Sequence, residues 1–399
     1  MVCPSQPGQG KVIYGYLGTF YGRTAMNKRL GEIQTMKKSF RLNLYARISL
    51  PACLIFGILM SGCAPTPTQP ALPDEIILYN WEGDIPQSVL DAFTEETQIK
   101  IKYEAYESQE GAIENIRAGE VYDIVVMESR FIPNMKNDGL LAELNYENIP
   151  NFKNISPNFR DLIYDPGNQY SIPYSWGTTG LVVRTDLIQS PVTRWADLWE
   201  AKYAGKVAIW IGQPREVLAL TLKSLGYSAN SENPAELEAA LTHLTALKPG
   251  LQFVEDFSAE SIVPVLTTGE AVITMGYSGD YLASKDSGLQ VEYIMPQEGA
   301  LLWADTFLVP ANSPNKKTAE LFINFLLRPE ISAEIVNVKY YASANDPARA
   351  FVDPQILNDP SIFPGDAVLN NAEIILPLSL EGEKLYNQIW QKFLDAGPQ

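Results

Sequence analysis

An indole ring and two carboxylates stand close together after the apolar run Ile77–Tyr79. Trp81 is followed at once by Glu82 and then by Asp84. A desolvated ammonium group prefers carboxylate partners, and an aromatic face attracts a cation and packs against methylene groups. The pattern marks these residues as candidate ligand-binding groups at the end of a strand. A structural alternative stays open, in which the ring packs in the core and the acids favour the start of a helix at Pro86.

Short strands that alternate with amphipathic helices are predicted to position these side chains. The runs "IILYNW", "IKIKYEAY" and "YDIVVMES" are predicted as strands, and a helical pattern separates each from the next. The order β-α-β-α-β predicts an α/β lobe with its ligand chemistry at the carboxyl ends of parallel strands. Trp81, Glu82 and Asp84 follow the first strand, and Glu128 and Ser129 follow the third.

The second half of the chain continues the same alternation. "GLVVRTDL" and "KVAIWI" are predicted as strands, and "REVLALTLKSLGY" is predicted as a helix. "LLWADTFLVP" is predicted as a strand at an edge of the sheet. The chain therefore has enough alternating elements for a second α/β lobe.

Composition restricts the partners. The chain has 399 residues, of which 46% are apolar and 19% charged, with a formal net charge of −17. Residues 1–62 hold eight basic and one acidic side chain, so the remainder carries a net charge of −24. Such a body repels nucleic acid and anionic membranes and attracts cations. Acidity that serves only solubility is the alternative.

Cysteine and histidine are too scarce for several kinds of chemistry. The three cysteines are Cys3, Cys53 and Cys63, and the single histidine is His243. After Cys63 no thiol is left for a disulfide, a thiolate metal site or a cysteine nucleophile, and a histidine-rich metal site is excluded. A serine triad would need His243, which stands in a helical pattern. We expect no metal, no cofactor and no enzymatic activity.

The N-terminus has the features of an export signal. Lys37, Lys38 and Arg41 precede the short apolar run Leu54–Met60, which is far below the ~20 residues that span a bilayer. The sequence "MSGC", which ends at Cys63, resembles a bacterial lipobox. Cys63 is therefore predicted to be lipidated, with an ordinary signal peptide or a chance cysteine as the alternative.

Residues on either side of this signal complete the N-terminal interpretation. Residues 1–35 contain no apolar core of their own, so translation is predicted to begin at Met36. Residues 63–73 contain four prolines and are predicted to be a stiff, extended tether of ~3.1 Å per residue. The mature protein is therefore expected to be exported, periplasmic and attached to a membrane only through its lipid.

Phrases across residues 74–399 resemble the spermidine/putrescine-binding proteins of bacterial ABC importers, within the extracellular solute-binding proteins. They include "LYNWEGDIPQSVLDAFTEETQIKI", "YSIPYSWGTTGLVV", "REVLALTLKSLGYS", "WADTFLVPANSPNKKTAELFINFLLRPE" and "YYASAN". The resemblance implies a periplasmic binding protein-like fold of type II, with two α/β lobes, hinge strands and a ligand cleft between the lobes. It predicts that residues 74–180 and 302–350 form the two parts of lobe 1, 181–301 the first part of lobe 2, and 351–399 a C-terminal segment mainly in lobe 2. The N-terminal features divide the rest into residues 1–35 upstream of the start, 36–62 a lipoprotein signal peptide and 63–73 a tether.

The resemblance also implies which side chains meet in the cleft. Trp81 and Trp303 match rings that pack on the ligand, and Asp305 matches an acid that pairs with an amine. Tyr277 stands where the family usually has tryptophan. The predicted ligand-binding residues are Trp81, Glu82, Asp84, Glu128, Ser129, Gln213, Glu216, Tyr277, Trp303, Asp305 and Tyr341.

Three positions depart from the family pattern. Gly83 and Gln213 stand where the family often has acids, and Arg130 stands near a cleft tyrosine. Nearby acids could substitute for the missing charges: Glu82, Asp84, Glu128 and Asp280. These changes leave the ligand open between spermidine, putrescine and another amine, including one whose carboxylate would bind Arg130.

The function that we expect is capture of a polyamine by a monomeric lipoprotein, which delivers it to a membrane ABC permease. The alternatives are a binder of another small solute, such as an amino-amine, Fe³⁺ or a sugar, and an exported glycosidase with two carboxylates ~5–10 Å apart. Tyr340 and Tyr341 suggest the ferric alternative, and the clustered acids suggest the sugar alternatives.

Overall fold

Residues 72–254 and 259–396 are described by the computed structural model, and all that follows concerns these residues. Cys63, the predicted signal peptide and residues 63–71 of the predicted tether lie outside them. The strands are β1 (Glu75–Asn80), β2 (Lys100–Ala105), β3 (Ile124–Glu128), β4 (Ser171–Arg184), β5 (Val207–Trp210), β6 (Gln252–Val254), β7 (Ile273–Tyr277), β8 (Val291–Ile294), β9 (Leu301–Leu308), β10 (Ala342–Ser343) and β11 (Glu373–Ile374).

The helices lie mostly between these strands. They are α1 (Gln87–Thr97), α2 (Gln109–Arg117), α3 (Ile132–Asn137), α4 (Pro214–Ser224), α5 (Pro234–Leu247), α6 (Ala259–Thr268), α7 (Ser278–Asp286), α8 (Lys316–Leu326), α9 (Pro329–Lys339), α10 (Pro354–Leu357), α11 (Asp366–Leu369) and α12 (Leu380–Asp395). Among these described helices, none combines the length and the apolar character needed to cross a membrane.

The first half of the chain has the predicted β-α-β-α-β order. β1 pairs in parallel with both β2 and β3. α1 buries Val89, Leu90 and Phe93, which recur at helical spacing, and burial of Phe93 alone contributes on the order of 2 kcal/mol. All five side chains of β3 are buried, as expected for a parallel strand covered on both faces.

The strand β9 lies inside the sheet rather than at its edge. The strand order is β2-β1-β3-β9-β4-β7-β5-β6, with β8 and β10 paired to β4 and β11 paired to β9. The prediction of an edge strand for this segment is therefore wrong. β9 pairs antiparallel with β3 on one side and with β4 on the other, and these partners lie far away in the sequence.

Apolar side chains divide into a first and a second core. In the first core, Leu78 and Ile124 pack on one face of the sheet, and Tyr79 and Val125 pack on the other, which is the two-residue period of a strand. The second core forms around α4, α5 and α12. Its largest fully buried side chains are Trp195 and Trp210.

Two strands contribute to both cores. In β4, Trp176 packs in the first core and Leu181 in the second. In β9, Leu301 packs in the second core and Phe307 in the first. These two strands pair over eight registers, so they join the cores as one ladder. The residue boundaries proposed for the two lobes stay predictions.

Candidate ligand-binding site

A cleft of about 890 Å³ is lined by residues that follow strands of both cores. Nine predicted site residues line it: Trp81, Glu82, Asp84, Glu128, Gln213, Tyr277, Trp303, Asp305 and Tyr341. Of the other two, Ser129 is buried outside the lining and Glu216 lies behind Tyr277. Ligand contact by any of these residues stays a prediction.

Strand ends place most of the cleft residues. Trp81 follows β1, Glu128 ends β3, Gln213 lies between β5 and α4, and Tyr277 ends β7. β1 and β3 run parallel, as do β5 and β7, so their carboxyl ends open on the same space. Asp305 reaches the cleft from within β9, where its register partner is Glu128.

Three aromatic rings meet edge to face along one wall. The ring centroid of Trp303 lies 5.3 Å from that of Tyr277 and 5.1 Å from that of Tyr341. The indole lies so close to β4 that a Cβ at Gly177 would stand 2.4 Å from its Cζ2 atom, so only glycine fits there. The indole N–H of Trp303 is buried and has no hydrogen-bond partner among the described residues. A second pair, Trp81 and Tyr106, has its ring centroids 4.6 Å apart.

The lining carries far more negative than positive charge. Its acids are Glu82, Asp84, Glu107, Glu128, Asp280 and Asp305, and its only cation among the described residues is Lys339. Burial, followed by the charges of Asp84 and Glu128, raises the pKa of Asp305 well above its usual range. Asp305 forms no ion pair with a described residue. A bound cation would therefore relieve both burial and repulsion.

The side chain of Asp84 is positioned by hydrogen bonds from neighbouring side chains and not by a capping interaction with α1. Its carboxylate accepts hydrogen bonds from the hydroxyl of Tyr174 and, at 3.2 Å, from the amide of Asn80. Neither Asp84 nor Glu82 caps α1, because that helix begins without a side-chain cap and without an acid in its first turn. Neither acid therefore caps α1, and a ligand role for the pair stays a prediction.

Asp280 has a structural role at the start of α7. It stands in the first turn of α7, and its Oδ2 accepts a hydrogen bond from the backbone N–H of Tyr277 at 2.7 Å. It therefore caps a helix while it lines the cleft.

Gly83 is exposed and has a left-handed φ of 62°, so the turn between Trp81 and Asp84 is one that a glycine adopts readily.

Glu216 supports the aromatic wall from behind. Its carboxylate accepts hydrogen bonds from the Tyr277 hydroxyl at 2.7 Å and from the Thr179 hydroxyl at 2.5 Å. Burial and the nearby Glu128 charge raise the pKa of Glu216 to about 7, although these two hydrogen bonds act in the opposite direction. The carboxyl of Glu216 therefore changes its protonation near neutral pH, and it contacts the cleft wall through its hydrogen bond with Tyr277.

Arg130 neutralises Glu128 and does not line the main cleft. Its Nε donates to Oε2 of Glu128 at 2.9 Å, and its guanidinium lies 4.1 Å from the ring centroid of Phe131. A cation that is paired in this way opposes a bound amine less than an unpaired cation would. Arg130 instead faces a separate cavity of about 220 Å³ that also includes Arg215.

Sequence reasoning missed several lining residues. Tyr106, Glu107 and Gln109 follow β2, and Val338 and Lys339 end α9. For the first three, the strand-end rule that identified Trp81 was available and was not applied to β2. No described group of three or more histidine, cysteine or acidic side chains could hold a metal ion, although Tyr340 and Tyr341 both line the cleft.

Comparisons with known proteins agree with this arrangement. The family model of bacterial extracellular solute-binding proteins matches residues 88–364. The spermidine/putrescine-binding periplasmic protein of Escherichia coli K12 is 33% identical over 81% of this chain and 92% of its own length. The putrescine-binding periplasmic protein SpuD of Pseudomonas aeruginosa is 30% identical over 85% of this chain and 96% of its own length.

A solved structure extends the agreement to the fold. A putative spermidine/putrescine ABC transporter from Listeria monocytogenes superposes with a TM-score of 0.75, at 30% identity, over 81% of this chain and 99% of its own. The predicted resemblance and the predicted two-lobed α/β fold are confirmed.

Proposed function

The chain belongs to the family of bacterial extracellular solute-binding proteins, and we propose that it captures a polyamine for an ABC importer. The named function of the relatives from E. coli and P. aeruginosa, spermidine/putrescine or putrescine binding, supports this ligand class. In this role the chain binds and releases a solute without changing it, and a membrane permease receives the solute.

The charge of the cleft is the observation that carries the proposal. Six lining acids face one lining lysine among the described residues, and Glu128 is paired with Arg130. A desolvated ammonium group needs acceptors, and Asp305 offers a carboxylate without a cation. The most favourable occupant is therefore a molecule with more than one positive charge.

The aromatic walls fit the rest of such a molecule. A polyamine alternates ammonium groups with methylene chains, and the rings of Trp303, Tyr277 and Tyr341 offer apolar faces beside the acids. A ring within ~6 Å of a cation adds ~0.5–2 kcal/mol, depending on burial. The cleft of about 890 Å³ is large enough for an extended diamine or triamine.

Calorimetric titration tests the proposal directly. We expect heat of binding with putrescine or spermidine at low ionic strength, and weaker binding at high salt because the attraction is screened. Glucose and Fe³⁺ serve as the sugar and ferric comparisons. Absence of binding by every diamine and triamine, with binding of a sugar or of Fe³⁺, would refute the polyamine assignment in favour of that alternative.

The location and the assembly state belong to the same proposal. We infer a periplasmic protein attached to a membrane through lipid on Cys63, monomeric, with translation from Met36. Radioactive palmitate should label the wild type and not Cys63→Ser. A tag placed upstream of Met36 should be absent from the precursor, and light scattering should give the mass of one chain. A labelled Cys63→Ser variant would contradict the lipid anchor.

A further inference from the structure

A second, smaller cavity adjoins the main cleft. Its volume is about 220 Å³, and its lining includes Glu110 and Pro214, whose preceding neighbours Gln109 and Gln213 line the main cleft. We name this space the guanidinium cavity, because Arg130 and Arg215 both line it. It is smaller than the usual pocket of 300–1,000 Å³, so its occupant must be a small group.

Arg215 is a buried cation without a carboxylate partner. Only 6% of the residue is exposed, and its Nη1 and Nη2 donate to the carbonyl of Ala229 at 2.8 Å and to Oδ1 of Asn230 at 2.6 Å. Its Nε is buried and has no hydrogen-bond partner within residues 72–254 and 259–396. Among the described residues, none contributes a carboxylate within 4.0 Å of its guanidinium. A buried charge in this condition is costly unless something pairs with it.

The two lining carboxylates of the guanidinium cavity contact residues other than Arg215. Glu110 is 67% exposed and lies 3.9 Å from Arg130, and Glu383 accepts a hydrogen bond from the amide of Asn134 at 2.6 Å. Arg130 forms an ion pair with Glu128. Arg215 is therefore left without a close carboxylate among the described residues; the charges of Glu128 and Glu216 and the ring of Tyr386, 4.9 Å away, offset its charge only in part.

We propose that the guanidinium cavity binds one carboxylate group, which pairs with the guanidinium of Arg215. The charge-assisted geometry of a guanidinium suits this group best. The carboxylate has two possible sources, which share this chemistry: a free short-chain acid, or the acidic end of an amine whose ammonium group lies in the main cleft. The first source does not depend on the proposed polyamine function, and the second rests on it.

Three probes of similar length separate these sources. Propionate carries a carboxylate alone, 4-aminobutyrate carries a carboxylate and an ammonium, and putrescine carries two ammonium groups. Titration uses the full chain in a carboxylate-free buffer of low ionic strength. Binding of propionate assigns the cavity to a free acid, and binding of 4-aminobutyrate without propionate assigns it to an amino acid-like ligand. If neither binds to the wild type, the proposal is overturned, whatever putrescine does.

Substitutions then locate the binding. We expect Arg215→Gln to weaken the carboxylate probe at least tenfold and to change putrescine affinity less than twofold. Arg349→Gln is the matched control, because its guanidinium stacks on Phe363 outside both cavities. Equal affinity of the carboxylate for Arg215→Gln and the wild type overturns the proposal.

A measurement on the wild type covers failure of the variant to fold. Crystals soaked in 3-bromopropionate should give anomalous bromine signal in the guanidinium cavity. Bromine signal confined to other places overturns the proposal. If the wild type binds the carboxylate probe but not putrescine, the polyamine function is refuted and the carboxylate site is still supported.

Discussion

The substitution Asp305→Asn tests the cleft most sharply, because Asp305 is the lining acid with a strongly raised pKa and no described ion-pair partner. Asparagine keeps the size and one acceptor, so the change removes charge with little change of shape. A hydrogen bond to a charged group contributes about 1.5–3 kcal/mol, and each 1.4 kcal/mol is a factor of ten in affinity. We expect Asp305→Asn to weaken amine binding about tenfold to a hundredfold at pH 8.

The same substitution has an expected pH signature. Because the pKa of Asp305 is raised, the free wild-type protein takes up a proton there as the pH falls, and it then resembles the asparagine variant. The ratio of the two affinities should therefore shrink at lower pH. Titration calorimetry at a series of pH values measures this ratio, and the heat in buffers of different ionisation enthalpy reports protons released on binding.

A matched control separates local pairing from net charge. Asp286→Asn removes the same charge from an exposed position at the end of α7, outside the lining. At physiological ionic strength the Debye length is about 8 Å, so we expect less than a twofold effect. A folded Asp305→Asn variant that binds amines within twofold of the wild type would remove Asp305 from the site and refute the reasoning.

Three further outcomes are expected. The pKa of Glu216 is raised from 4.5 to about 7, so its ionisation lowers the free energy of unfolding of the ligand-free protein by up to about 3 kcal/mol above pH 7 and has no effect below pH 4.5. Glu216→Gln should therefore raise the melting temperature at pH 8 but not at pH 4. An equal rise at both pH values would contradict this cause. Gly177→Ala should displace the Trp303 ring, shift its fluorescence and weaken amine binding, whereas Gly365→Ala, with no atom within 4 Å of the new Cβ, should have none of these effects. Salt raised from about 10 to 150 mM shortens the Debye length from about 30 to 8 Å, so stopped-flow association of spermidine should slow, and a salt-independent rate would exclude long-range steering.

Local patterns predict the strand ends well. The apolar run before Glu128 needs no distant partner to be recognised, and the end of a buried strand places its acid at the edge of the sheet. The same reasoning places Trp81 after β1. These positions were predictable because one short stretch of sequence contains both the element and the point where it stops.

Contacts between distant segments were not predictable in this way. β9 is internal because β3 and β4 flank it, and Glu128 and Asp305 meet across 177 positions of sequence through that pairing. The helical pattern around Glu216 does not reveal that Tyr277 stands between it and the cleft. Long-range register follows from the whole sheet, and no window of local sequence carries it.

The first strand and the last helix of the described chain belong to different cores: β1 packs in the first and α12 in the second. A fluorophore fused before residue 72 would therefore follow the body built around the first core, and one fused after residue 396 would follow the body built around the second core. Any rotation of one body against the other upon solute uptake would change energy transfer between the dyes. The connectivity of the chain thus suits it for conversion into an optical sensor without a cut in either core.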